Sequence, residues 1–161
     1  MLKESKVTRI AEIRLEAALE KFPLLPNLEK QFIGKLQSRK IKKIVENFDV
    51  IQSVENFEQA QKISKCGKKI KIMLEINISG KENRSGAKPD EAKKLISEIK
   101  KLPNIELIGV MGIATRENPR EEFRLLKSLQ GDLKECSMGM SEDYKIAIEE
   151  GSTMLRLGRI L

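Results

Sequence analysis

The residues best suited to chemistry lie near the end of the sequence, in SMGMSEDYKIAIEEGSTMLRLGRIL, Ser137 to Leu161. Ser137, Met138, Gly139, Met140 and Ser141 form a short stretch ahead of a helical pattern. A glycine there lets backbone N–H groups come close to an anion. The two serine hydroxyls add donors, and a helix beginning at Ser141 would turn its positive end to the same spot. Gly158-Arg159 is a second such place. The plain alternative is that Ser141 only caps a helix and Gly139 only permits a turn. Arg156 stands between Leu155 and Leu157 in a strand pattern, so it faces away from them into the interior. A guanidinium there needs an anion or an acceptor, and within the chain that partner would be Glu75.

Other chemistry is excluded by what the sequence lacks. Its 161 residues include no histidine and two cysteines, Cys66 and Cys136, without CxxC spacing. A Ser-His-Asp triad and a zinc site are therefore not expected. Two free thiols suit a reducing cytoplasm. The N-terminal MLKESKVTRIAEIR has no apolar h-region, so no secretory signal is expected. No apolar run approaches the roughly 18 residues of a membrane span. The formal charge of +7 could mark a polyanion-binding face. However, the lysines are interleaved with glutamates, and one tyrosine with no tryptophan makes a poor stacking platform for bases. Solvated helix faces are the better account, and nucleic acid is not the expected partner.

The elements that would position these residues alternate. Strand patterns run over 7–13, 30–36, 49–54, 70–78, 105–113, 134–140 and 153–161. Helical patterns run over 14–22, 38–48, 57–67, 88–102, 120–133 and 141–151. In IKIMLEINI, Ile70, Ile72, Leu74, Ile76 and Ile78 share one face, while Lys71, Met73, Glu75 and Asn77 share the other. Asn56 is placed to cap one helix, and Pro89 sits in the first turn of another. About seven strand–helix units imply a parallel sheet with right-handed crossovers. An open doubly wound sheet would usually carry a GxGxxG turn, which is missing. The expected fold is α/β, a short TIM-type (β/α) barrel in a single domain over 1–161. Eight units and at least about 200 residues are usual for that barrel, so this chain is about one unit short. In such barrels the phosphate pocket follows the last two strands, which here points back to Ser137–Ser141 and Gly158-Arg159.

Five colinear segments then carry a resemblance: FIGKLQSRKIKKIV (32–45), IQSVENFEQA (51–60), LEINISGKENRSG (74–86), LIGVMGIAT (107–115) and Ser137 to Leu161. Together they resemble the pyridoxal phosphate homeostasis family, single-domain barrels related to the N-terminal domain of bacterial alanine racemase. The resemblance implies binding of pyridoxal 5′-phosphate (PLP) without turnover, to buffer and deliver the cofactor. It implies a phosphate site at Ser137, the backbone from Met138 through Gly139 and Met140 to Ser141, and the backbone of Gly158 and Arg159. It implies that Arg156 faces the pyridine nitrogen, that Asn77 and Ser79 line the rim, and that Ile33 and Gln37 sit near the ring face and mouth.

Two departures from the family pattern bear on the covalent lysine. The family carries that lysine on its first strand, whereas the match here begins at VTRIAEIR, with Ala11-Glu12-Ile13 where the second strand has a GEN-type motif. The first strand is then absent, PLP would be held by non-covalent contacts, and a barrel open at that point would borrow a strand from a second copy or another partner. A second alignment sets Ser5-Lys6 on the family's Ser-Lys pair and makes Lys6 the Schiff-base candidate. Behind it comes Lys35, where the family commonly has histidine; the alternative there is a solvated lysine at a strand end. The chain also stops at Leu161, short of the family's Phe-Gly tail. A racemase-like enzyme would need two acid/base groups at a substrate carbon, and with no histidine and a helical Tyr144 this is not expected. The competing reading is a barrel remnant repurposed to bind nucleic acid or protein without PLP.

Overall fold

The computed structural model describes residues 7–158. Lys6 and Arg159 lie outside them. Six parallel strands alternate with helices: β1 (Arg9–Glu12), α1 (Leu15–Lys21), β2 (Glu29–Phe32), α2 (Ile41–Asn47), β3 (Val50–Val54), α3 (Phe57–Ser64), β4 (Ile70–Glu75), α4 (Pro89–Ile99), β5 (Ile105–Met111), α5 (Pro119–Gln130), β6 (Glu135–Ser137) and α6 (Tyr144–Glu149). The strands lie in sequence order, β1-β2-β3-β4-β5-β6.

The sheet is curled. In a flat sheet β3 and β6, three strand spacings apart, would be separated by about 14 Å. Instead the Ser137 hydroxyl on β6 donates to Gln52 on β3 at 2.7 Å. Long side chains also reach across the arc: Arg9 on β1 lies 3.6 Å from Glu135 on β6. The strands thus form an arc around an interior, with helices outside, as expected of a β/α barrel wall. The pleat of β4 sorts its residues as the sequence predicts. Ile70, Ile72 and Leu74 join the outer core under the helices. Met73 joins Val50, Met111 and Met154 in an inner cluster. At the N-terminal side, Phe48 is fully buried and meets Phe22 and Phe32 edge-on at 5.0 and 5.2 Å, a geometry that aromatic quadrupoles favour.

Local signals account for most boundaries. Asn56 caps α3, its side chain accepting from the Gln59 N–H at 2.9 Å. Pro89 opens α4, where a missing N–H costs nothing. Gly67 ends the turn after α3 at φ +79, a conformation that glycine adopts without a steric penalty.

The expected seventh strand, 153–161, is the main correction. Among the described residues it is reduced to one bridge, Ser137 to Met154. The segment still runs along β6: Met138 N–H donates to Met154 O at 3.1 Å, and Arg156 N–H to Gly139 O at 2.9 Å. Ser152 and Thr153 explain why no longer ladder forms, since their hydroxyls compete for the same backbone. Ser152 Oγ donates to Met138 O at 2.7 Å, and Thr153 Oγ accepts from Cys136 N–H at 2.8 Å. The last helix is also shorter than its pattern. It runs from Tyr144 with Asp143, not Ser141, at its N-cap, because Asp143 turns its carboxylate back to the Met140 N–H at 2.6 Å. The strand expected over 30–36 ends at Phe32.

Candidate functional site

Around the C-terminal ends of β4, β5 and β6, three loops enclose a cavity of about 650 Å³. Its lining holds four cationic side chains, Lys81, Arg84, Arg116 and Arg156, against three acidic ones, Glu117, Glu142 and Asp143. Two of the acids are paired off, Glu117 with Lys81 at 3.7 Å and Glu142 with Arg116 at 2.9 Å. The third is held by the Met140 N–H. The remaining balance is positive and suits an anion.

Arg156 is the anchor of this wall. Its Nη1 donates to Ser137 Oγ at 2.7 Å and its Nη2 to Gly112 O at 2.9 Å. Ser137 Oγ in turn donates a hydrogen bond to Gln52 Oε1, and Gln52 Nε2 donates to Gln31 Oε1 and toward Met154 Sδ. A continuous polar chain therefore crosses the interior from β2 to the cavity wall. Burial pulls the Arg156 guanidinium down to about 10, against the pull of Glu75, so it is a full cation at neutral pH. Glu75 shows the opposite effect: burial, with Glu55 beside it, pushes its carboxyl up to about 7, against Arg156. Arg156 and Glu75 feel each other's charge, yet no contact ion pair joins them among the described residues.

The loops are built to present cations. Asn77 donates to Lys81 O at 2.8 Å and Arg84 O at 3.3 Å, while accepting from Ser79 Oγ at 2.7 Å. Gly86 closes this loop at φ +112, where a Cβ would stand 2.5 Å from the Asn77 nitrogen. Asn77 and Ser79, expected on the rim itself, thus spend their polar atoms shaping the loop that carries Lys81 and Arg84. After β5, Thr115 is buried and holds Glu122 with both its N–H and its hydroxyl, at 2.5 and 2.6 Å, which fixes the loop bearing Arg116. After β6, Gly139 has φ +98, and a Cβ on it would press to 2.6 Å from the Ala147 Cβ. The turn leading to Ser141 therefore sits tightly against α6. Helix α6 is in turn tied to α5, where Arg124 bonds Glu150 at 2.9 Å and Arg120 bonds Glu149 and Glu150.

The expected residues divide accordingly. Met140, Ser141, Arg156 and Gly158 line the cavity. Ser137 lies beneath it, with its hydroxyl committed to Arg156 and Gln52 rather than free for a phosphate. The Met138 side chain is fully buried in the outer core, so only its backbone belongs to the turn. Ile33 is half-buried and Gln37 exposed in the segment after β2; neither lines the cavity. Lys35 is exposed between buried Gly34 and Leu36, which matches the solvated alternative. The sequence reading missed Gln31, Gln52, Lys81, Arg84 and Arg116. Gln52 had a legible signal: a long amide side chain at an inward position of VIQSV, a strand whose other residues are apolar or, in Ser53, small.

The family model described as alanine racemase, N-terminal domain, matches residues 1–161. The pyridoxal phosphate homeostasis protein of Aquifex aeolicus is 34% identical over 168 aligned positions, covering 93% of this chain and 74% of that protein. That of Synechocystis sp. is 36% identical, covering 94% and 78%. PipY of Synechococcus elongatus, solved with PLP bound, superposes with a TM-score of 0.81 at 28% identity, over 92% of this chain and 78% of its own. The chain belongs to the alanine racemase N-terminal domain family and, within it, to the pyridoxal phosphate homeostasis proteins.

Proposed function

We propose that this chain binds PLP in the cavity walled by Arg156, without turnover, and serves to hold and supply the cofactor. The observation that carries the reading is the clamped guanidinium of Arg156 at the wall of a cavity with a cationic surplus. The residues present fit the group. Arg84 offers charge to a phosphate, and the ion-paired Lys81 and Arg116 share the same lining. The backbone N–H groups of Ser141 and Gly158 have no acceptor among the described residues, and a Cβ at Gly158 would meet only open space. When bound, PLP supplies an aldehyde for condensation with amines and a ring that withdraws electrons.

Arg156 has five N–H donors and shows two of them engaged, so others remain for a ring nitrogen. A permanent cation there keeps that nitrogen unprotonated and weakens the ring as an electron sink, which suits binding over catalysis. In this reading the turn from Met138 to Ser141 and the Gly158-Arg159 backbone hold the phosphate. The candidates for covalent anchoring are Lys6 and, behind it, Lys35. The six-stranded arc with its Met154 bridge is read as a short TIM-type barrel of one domain, working in a reducing cytoplasm with Cys66 and Cys136 as free thiols. Strand β1 has one neighbour among the described residues, and Ile13 and Leu24 nearby expose 61% and 77% of their surface. A second copy or a strand-donating partner would cover that edge, and sedimentation across a concentration series tests it.

The experiment for the function is to add PLP, reduce with borohydride and map any adduct by peptide mass spectrometry. An adduct at Lys6 or Lys35 identifies the anchor. Saturable binding with no adduct supports non-covalent holding. Absence of binding, together with a salt-dependent shift on RNA, would replace this account with a repurposed barrel.

A further inference from the structure

Glu55 and Glu75 are the interior groups that the cofactor cavity leaves unexplained. Val54 pairs with Leu74 across β3 and β4, so the next residues, Glu55 and Glu75, stand side by side. Val54 and Leu74 belong to the outer core, so the pleat turns the two glutamates inward. Glu75 is only 7% exposed, and its carboxylate accepts no hydrogen bond and makes no ion pair among the described residues. Glu55 Oε1 is buried and also lacks a donor. The nearby opposite charge is Arg156, which bonds Ser137 and Gly112 and makes no contact ion pair with either glutamate among the described residues.

Buried carboxylate oxygens without donors are costly, and here Glu75 and the Glu55 Oε1 leave acceptors that no donor among the described residues serves. A divalent metal is a poor answer, because no cluster of three or more metal-ligating side chains exists among the described residues. A primary ammonium is a better one: it brings a single charge and three donors, enough to serve both carboxylates.

We infer that Glu55 and Glu75 form an ammonium subsite beside the Arg156 cavity, which takes the amine of an amine-bearing cofactor form such as pyridoxamine 5′-phosphate. This rests on the proposed cavity for the phosphate and ring. It goes beyond that proposal by naming a preference among ligands that share both. Arg156 connects the two regions, since it lines the cavity and interacts with the Glu75 charge from the same guanidinium.

The test compares pyridoxamine 5′-phosphate with pyridoxine 5′-phosphate by equilibrium dialysis at pH 7.5. The second ligand replaces the aminomethyl group by hydroxymethyl and leaves the phosphate and ring unchanged. The wild-type chain is expected to bind the amine form at least tenfold more tightly. Glu75→Gln and Glu55→Gln should each shrink that ratio, and the double variant should bring it near one, with alcohol-form binding unchanged. Far-UV circular dichroism checks that the variants fold, and the wild-type ratio alone decides the matter if they do not. Equal wild-type affinities, or a preference that survives in the folded double variant, would overturn the subsite while leaving the cofactor cavity standing. If neither ligand nor PLP binds, both proposals fall.

Discussion

Arg156 and Arg84 line the same cavity but are held in opposite ways. Arg156 reaches it from the interior, with its guanidinium clamped between a buried hydroxyl and a backbone carbonyl. Arg84 reaches it from an exposed loop, and its side chain makes no hydrogen bond or ion pair among the described residues. The first belongs to a polar chain that also organises the sheet, so function and fold are coupled there. The second contributes charge with little structural commitment. Losses at the interior should therefore damage stability and binding together, whereas losses at the rim should damage binding alone.

The largest effect is expected from Arg156→Ala. It leaves Ser137 Oγ and Gly112 O without their donor and removes a partly buried charge, a loss of about 2–4 kcal/mol. Chemical denaturation should show that drop, and PLP binding should disappear with it. Next comes Gln52→Leu, which breaks the chain one step farther from the ligand. About 1–3 kcal/mol of stability should go, as buried partners lose their bonds, with a several-fold weaker affinity for PLP.

Glu75→Gln should move the other way. The Glu75 carboxyl is raised to about 7 in the folded chain, from 4.5, so the folded state holds its proton more tightly than the unfolded state does. Wild-type stability is then fully present below about pH 4.5 and falls as pH rises to about 7. Glu55 on β3 and Arg156 are the charges facing it. The glutamine variant should flatten this slope and be more stable at pH 8 by about 1–3 kcal/mol, as denaturation at a series of pH values will show. The smallest effect belongs to Arg84→Ala: an unchanged melting temperature, a few-fold weaker affinity for PLP and a reduced dependence of binding on salt.

The same contrast explains what could be read from the sequence. The alternation in IKIMLE placed Glu75 and Met73 inward, because a strand buried on one side by helices must follow the pleat. Arg156 was legible for a similar reason, as a charge flanked by two leucines. The Asn56 cap and the Pro89 start followed from local chemistry alone. What stayed hidden depended on curvature. Nothing local says that Gln52 meets Ser137 across three strand spacings, since that contact exists only because the sheet curls. The rim cations were hidden because loop residues carry no period. The seventh strand was overread because LRLG has a strand-like pattern while Ser152 and Thr153 divert the backbone beside it. Ser141 looked like the helix cap, but it falls in a turn that Asp143 closes by bonding back to the Met140 N–H, and the helix starts only at Tyr144.

The most direct test of the central claim is equilibrium dialysis of PLP against the wild-type chain, with inorganic phosphate as competitor and Arg156→Gln as control. The account predicts saturable binding at one site per chain, displaced by phosphate and lost in an Arg156→Gln variant that still shows a native circular dichroism spectrum. Saturable binding that persists in that folded variant, or no binding by the wild type, would contradict it.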